Sequence, residues 1–432
     1  MELEFNYKRI FLLGFGFFGI SVIWSLYNAY VPIFLKDFAL SSFVIGIVMT
    51  IDNVFAILLL PYLGVLSDKT RTKWGRRKPY IMIGAPLGAI FFMLIPIARE
   101  HEALALMMGA IILMNFSMAL FRSPVIAFMP DITPSEYRSQ ANGIINFMGG
   151  LGTIMVYFLG KILYDIHYSL PFYVGGILMF LASLLVIFLV PEPKEYTAPS
   201  KEKVLFVEIL KKTLNESFGE LKKNLEELFA SQEKSLLFML TSIFLWFVGY
   251  NALETFFTSY AKYYLGIEES TGALILGFVA LSFFIFAIPA GFIGARLGRK
   301  RTMTLGLAIV SVAVVGGFFA GINYGKSSLL VPIYSALFFF GGFGWAMVNV
   351  NSLPTVVDMT TEEKLGGYTG LYYFSSQAAN ILAPPLAGAL IDATGYNSIL
   401  IFTVVFFILS TLTLQLVRRG DIKSLKNMER KR

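Results

Sequence analysis

At 432 residues, with 56% hydrophobic and only 15% charged positions and a mean hydropathy of +0.69, the chain is too apolar for a water-facing surface throughout. A net charge of +7 suggests nucleic acid, but the cations stand beside apolar runs of about 20 residues, the length that crosses a bilayer core as helix. The absence of cysteine, with His101 and His167 as the only histidines, excludes disulfides, thiolate metal sites, cysteine nucleophiles and histidine-rich relays.

The first apolar span is predicted near 10–35. It is longer than a signal h-region and lacks a small-residue cleavage site. Its GFGFFG (14–19) fits a dinucleotide pattern but follows no strand, so it predicts close helix packing. Further spans are predicted near 42–65, 79–98, 103–129, 139–163 and 170–190. A stretch rich in Lys and Glu, 191–234, reads as a cytosolic linker with some amphipathic helix. Six more spans follow near 235–263, 271–294, 302–321, 328–356, 367–391 and 397–417, with kinks expected at Pro32, Pro61, Pro124, Pro289, Pro354 and Pro384–Pro385. The predicted fold is all-α and polytopic, with twelve transmembrane helices. Its parts are a six-helix half (1–190), the linker (191–234), a second six-helix half (235–417) and a basic tail (418–432).

The spans sort the cations. With alternating loops, 29 of the 35 Lys and Arg fall on one side, which the positive-inside rule makes cytoplasmic together with both termini. The densest group is GVLSDKTRTKWGRRKP (64–79), where six cations accompany the single acid Asp68.

An internal repeat sets the architecture. MPDITPSEYRSQANG after the fourth span aligns with VVDMTTEEKLGGYTG after the tenth, pairing Asp131 with Asp358 at an offset of 227. The same offset pairs Gly64 with Gly291, and YNA at 27–29 recurs at 250–252. Two pseudo-symmetric halves of this kind place a substrate site at their interface, near the midplane.

On these residues the chain resembles the major facilitator superfamily, whose signature after the second helix is a Gly, an Asp and a Gly-Arg-Arg cluster. The spacing Ser67-Asp68, six residues, then Gly75-Arg76-Arg77-Lys78-Pro79 is similar to its sugar:cation symporters, including plant sucrose transporters and the glycoside–pentoside–hexuronide group. RSPVIAFMPDITP (122–134) likewise looks like their fourth-helix end. The resemblance implies that Asp68, Arg76, Arg77, Asp131 and Arg138 form a cytoplasmic gate. Asp68 would latch onto amides at the start of the eleventh span, with Arg76 or Arg77 pairing Asp131.

Charges inside spans mark ion or substrate pathways. By helical rise Asp52 lies roughly 18 Å above Gly64, and Arg122 roughly 12 Å above Pro130. Asp52, Asn53 and Arg122 are therefore the candidate cation-coupling group. Glu254 follows Tyr250 and Asn251 by one turn, and Tyr27 and Asn28 occupy the repeat-related helix. Aromatic faces with amides and a carboxylate suit sugar C–H surfaces and hydroxyls, so Tyr27, Asn28, Asn115, Tyr250, Asn251, Glu254, Asn349, Gln377 and Asn380 are the candidate substrate-binding residues.

The expectation is a monomeric multi-pass carrier of the cell membrane, with bilayer and sugar as its partners and no nucleic acid. It would carry a disaccharide or other glycoside together with a cation by alternating access. No cofactor is expected beyond that co-transported proton or sodium. The proton is favoured, carried by a carboxylate because no histidine lies in a span; sodium on oxygen ligands stays open. The rivals are a carrier of another organic solute and a membrane sensor, for which no segment supplies a signalling domain. No metal, nucleophile–base or phosphate-cradling set points to an enzyme.

Overall fold

The computed structural model describes residues 5–193, 219, 221–230, 232–324, 327–360 and 364–420. Most of the predicted linker and tail thus lie outside the described residues; within the linker, 221–230 are helical. Among the described residues no strand forms, only an isolated bridge between Thr72 and Gly75.

The helices follow the apolar runs. α1 is Tyr7–Asp37, α2 Ser42–Met49, α3 Ile51–Lys69, α4 Lys78–Glu100, α5 Leu104–Asp131, α6 Arg138–Ile166 and α7 Leu170–Leu189. After the linker come α8 (Ser235–Tyr260), α9 (Glu269–Leu297), α10 (Arg299–Tyr324), α11 (Leu330–Val357), α12 (Leu365–Thr394) and α13 (Ser398–Gln415). Eleven segments are long and apolar enough to cross a membrane, with α2 and α3 counted together as one span of 28 residues. The eleventh predicted span, α12, is long but is not among them. Ser375, Ser376, Gln377, Asn380 and two prolines lower its hydropathy.

The second span is the main departure from expectation. It is two helices, not one, parted at Thr50. The Thr50 hydroxyl bonds back to the Ile47 carbonyl at 2.8 Å, and the residue sits at the edge of the right-handed helical region at φ −94°, ψ −6°. The interruption puts Asp52 in the first turn of α3 rather than inside a continuous helix. The seventh span also ends distinctively, in a wide turn over Ala261–Leu265 stopped by Gly266 in the left-handed region.

The chain divides into two compact units. The first holds residues 1–39 and 51–216; the second holds 40–50 and 217–432. In the first unit α1 packs on α6 and α7, α5 on α3 and α4, and α4 on α7. In the second, α8 packs on α12 and α13, α11 on α9 and α10, and α10 on α13. The pattern is the same, element for element. The repeat extends to single contacts: Gly64 faces Ser123, and Gly291 faces Val350, 227 residues beyond Ser123.

Aromatic side chains fill much of each interior. In the first unit Phe172 stacks on Phe34 and Phe92 at 5.1 and 4.9 Å between centroids, and Tyr30 stacks on Tyr164 at 4.4 Å. In the second, the buried hydroxyls of Tyr260 and Tyr334 meet at 2.7 Å, and Tyr334 donates to the Gly317 carbonyl at 2.5 Å. The GFGFFG run does pack closely. A Cβ on Gly16 would lie 2.8 Å from a Val125 methyl, and one on Gly19 would lie 3.1 Å from Met179. Outward, Ile288, Val312 and Phe188 are among many exposed apolar side chains, as a lipid-facing surface requires.

Candidate functional site

Three polar constellations stand out, each contained within one unit. The first surrounds Asp52. Asn53 Nδ2 donates to Asp52 Oδ1 at 2.7 Å, and at the start of α3 the main-chain amide of Asn53 also serves the carboxylate. Arg122 on α5 and the Tyr27 hydroxyl on α1 lie within electrostatic reach of Asp52, but no direct ion pair joins Asp52 to Arg122. The acid and the arginine are both half-buried.

Tyr27 is fully buried and Asn115 almost so, facing each other from α1 and α5. Asn115 Nδ2 returns to the Ile111 carbonyl at 2.9 Å, leaving its Oδ1 without a hydrogen bond, as is the Tyr27 hydroxyl. Trp24 meets Tyr27 edge-on at 5.7 Å, and its indole N–H is also unpartnered. Asn28 is half-buried on the same helix.

The second constellation lies on α8, α11 and α12. Asn251 Nδ2 donates to Asn380 Oδ1 at 2.6 Å, and Asn380 Nδ2 donates to Gln377 Oε1 at 2.8 Å, an amide chain spanning two helices. Beside Asn251, Tyr250 lies flat on Trp345, 4.0 Å between centroids and 1° from parallel. Phe247 closes on the same indole edge-on at 5.6 Å. Glu254 and Asn349 are half-buried on α8 and α11. Three of the six residues singled out here are thus joined by hydrogen bonds. Trp345, which holds Tyr250 in place, went unread in the sequence although it is one of only four tryptophans.

The third constellation is the basic loop between α3 and α4. Asp131, at the end of α5, receives both arginines: Arg76 through Nε at 3.0 Å and Nη2 at 2.5 Å, and Arg77 through Nε at 2.7 Å. Arg77 also donates to Ser67 Oγ at 2.5 Å and pairs with Asp68, while Arg76 Nη1 reaches Asp68 at 3.7 Å. Burial works against the charge on Arg77. Hydrogen bonds and charge from Asp131, and then from Asp68, outweigh it and hold the guanidinium above its ordinary value. Asp68 is half exposed, and these two arginines are its partners. Arg138 opens α6, is exposed, and does not join the cluster.

The sequence reading missed the residue that completes this loop. Glu192, just past α7, accepts the main-chain amides of Arg76, Arg77 and Lys78 at 2.7, 2.7 and 2.8 Å, capping the start of α4. Gly75 makes room for it: its φ is +103°, and a Cβ there would run into the Glu192 carboxylate. A lone acid between two prolines after the sixth span was the available signal. The second unit has a simpler counterpart, in which Arg299 pairs with Asp358 and donates to the Pro354 carbonyl at 2.9 Å. Among the described residues no group of His, Asp and Glu could hold a metal ion.

Two helical units of matching internal packing, each carrying polar groups inside apolar spans, define a multi-pass helical membrane protein. The chain belongs to the Major Facilitator Superfamily, which it matches over residues 13–323 and, in a second overlapping match, 259–432. It is 25% identical to the quinolone resistance protein NorA of Staphylococcus aureus over 197 residues, 46% of this chain and 49% of that protein. It is 28% identical to the human proton-associated sugar transporter A over 172 residues, 37% of this chain and 23% of that protein. The chain thus spans half or less of the length of these relatives. In fold it is similar to the nucleoside transporter NupG, with a TM-score of 0.70 and 16% identity, covering 95% of this chain and 99% of that one.

Proposed function

We propose that the protein is a sugar:cation symporter of the cell membrane, with twelve spans and both termini cytoplasmic, carrying a disaccharide or glycoside by alternating access. The observation that carries this reading is the Asp52 group. A carboxylate held by Asn53 at a helix start, attracted to Arg122 but not bonded to it, can take up and release a cation as its surroundings change. The favoured cation is the proton, and a relative described as proton-associated supports that choice. The amide chain Asn251–Asn380–Gln377 beside the Tyr250–Trp345 stack supplies the donors, acceptors and aromatic face that a sugar needs.

The test is counterflow in liposomes with a panel of labelled mono- and disaccharides, followed by uphill uptake driven by a pH or a sodium gradient. Counterflow of at least one sugar, and accumulation with one of the two gradients, is expected. If none is moved, the sugar reading fails. The match to a quinolone resistance protein favours a second reading, a carrier of a non-sugar organic solute, so quinolones belong in the same panel. For any sugar that passes, Asn251→Ala should weaken binding by about 1–3 kcal/mol, the cost of unpairing buried polar groups. Calorimetry showing unchanged affinity would remove the amide chain from the cargo site.

A further inference from the structure

The helix α2 is anchored by a residue far away in sequence. Ser42 N donates to one carboxylate oxygen of Asp392 at 2.8 Å, and Phe43 N donates to the other at 2.8 Å. Asp392 lies in the last turn of α12, 350 residues from Ser42. Its two oxygens take two of the amides that a helix start leaves free, while Ser41 Oγ accepts from Val44 N at 3.3 Å. The backbones meet as well. A Cβ on Gly46 would strike the main chain of Pro384, and one on Gly388 would strike that of Ser42. Chain order puts residues 40–50 among the first six spans, yet they pack as part of the second unit, and the chain returns to the first unit at Ile51.

Both ends of α2 are therefore specialised. One end is gripped by a carboxylate, and the other is the break at Thr50, two residues before Asp52. Asp392 is exposed, so water can replace its two bonds without the desolvation that would make a buried clamp permanent. We infer that Asp392 is a releasable clamp that holds the first part of the second span on α12 and sets how often that part swings away about Thr50. This deepens no cargo assignment; it applies to the carrier whatever it moves.

The chain contains no cysteine, so an introduced thiol reports alone. Ile45→Cys places one in α2 at a position that is 1% exposed, and Ala182→Cys places a control in α7 at 4%. Each is combined with Asp392→Ala and with the milder Asp392→Asn, and maleimide labelling rates are measured on the purified carrier in nanodiscs without cargo. The loss of a helix cap is expected to speed labelling at position 45 about tenfold in the alanine variant, with a smaller increase for asparagine and no change at position 182. Equal rates at position 45 with and without Asp392 would overturn the clamp. Acceleration at both positions in both variants would also overturn it, because that result describes general loosening.

Discussion

Replacing Asp52 with asparagine is expected to abolish uphill accumulation of cargo while leaving exchange across the membrane. The substitution keeps the shape of the side chain and an oxygen for Asn53 Nδ2 to bond, so the first turn of α3 has no reason to rearrange. It removes the charge that Arg122 feels and the group that could take up a proton or help bind sodium. Each unit of pH gradient is worth about 1.4 kcal/mol to a one-proton symporter, or roughly tenfold in accumulation. The variant should lose that factor entirely and bring cargo only to equal concentrations inside and out. Counterflow, which needs no coupling, should persist. Wild-type accumulation in Asp52→Asn liposomes would exclude Asp52 as the coupling group, and loss of counterflow would assign it to cargo binding instead.

The largest effect on stability is expected at Asp131. Its side chain is 8% exposed and serves Arg76 and Arg77, themselves 12% and 3% exposed. Asp131→Ala would leave two nearly buried guanidinium groups with only the exposed Asp68 and nearby oxygens as partners. Unpairing buried charges in this way costs about 3–5 kcal/mol. For a unit of this size that is on the order of 10 °C in melting temperature. Asp68→Asn is the contrasting case: half-exposed ion pairs contribute about 0–1 kcal/mol, so that variant should melt within a few degrees of the wild type. Thermal unfolding of the purified variants decides this, and equal melting temperatures for Asp131→Ala and Asp68→Asn would show that Asp131 does not organise the loop.

Much of the architecture was legible because the bilayer forces it. Apolar runs become helices since nothing else can satisfy the backbone there, and the predicted spans end within a few residues of α4, α5 and α7. The repeat was legible down to the pairing of Gly64 and Gly291, whose neighbours differ by the same offset. The break in the second span was not. The sequence marks Pro61 as the bending point, yet α3 runs through Pro61, and the helix parts at Thr50, where neither glycine nor proline stands.

The candidate site was legible by residue type but not by partner. An in-span Asn announces a buried polar role; it does not say that Asn251 reaches Asn380, 129 residues away. Glu192 was overlooked for a related reason. Its role rests on main-chain amides, which every residue carries, so no side-chain pattern in the basic loop points to it.

Glu192 also fixes an order of events during synthesis. The start of α4 is made more than a hundred residues before its cap, so the basic loop stays open until the sixth span has been translated. Once Glu192 emerges, the first unit holds nearly everything it needs, and about 240 residues remain to be made, which takes roughly 12–48 s at 5–20 residues per second. One short helix waits longer: α2 packs with the second unit, and its partner Asp392 is translated about 200 residues after Glu192, so until then α2 lacks the helix it rests on. A ribosome stalled between residues 192 and 392 would therefore carry α2 without its partner helix, and a cysteine placed at Ile45 of such a nascent chain should label faster than in the finished protein.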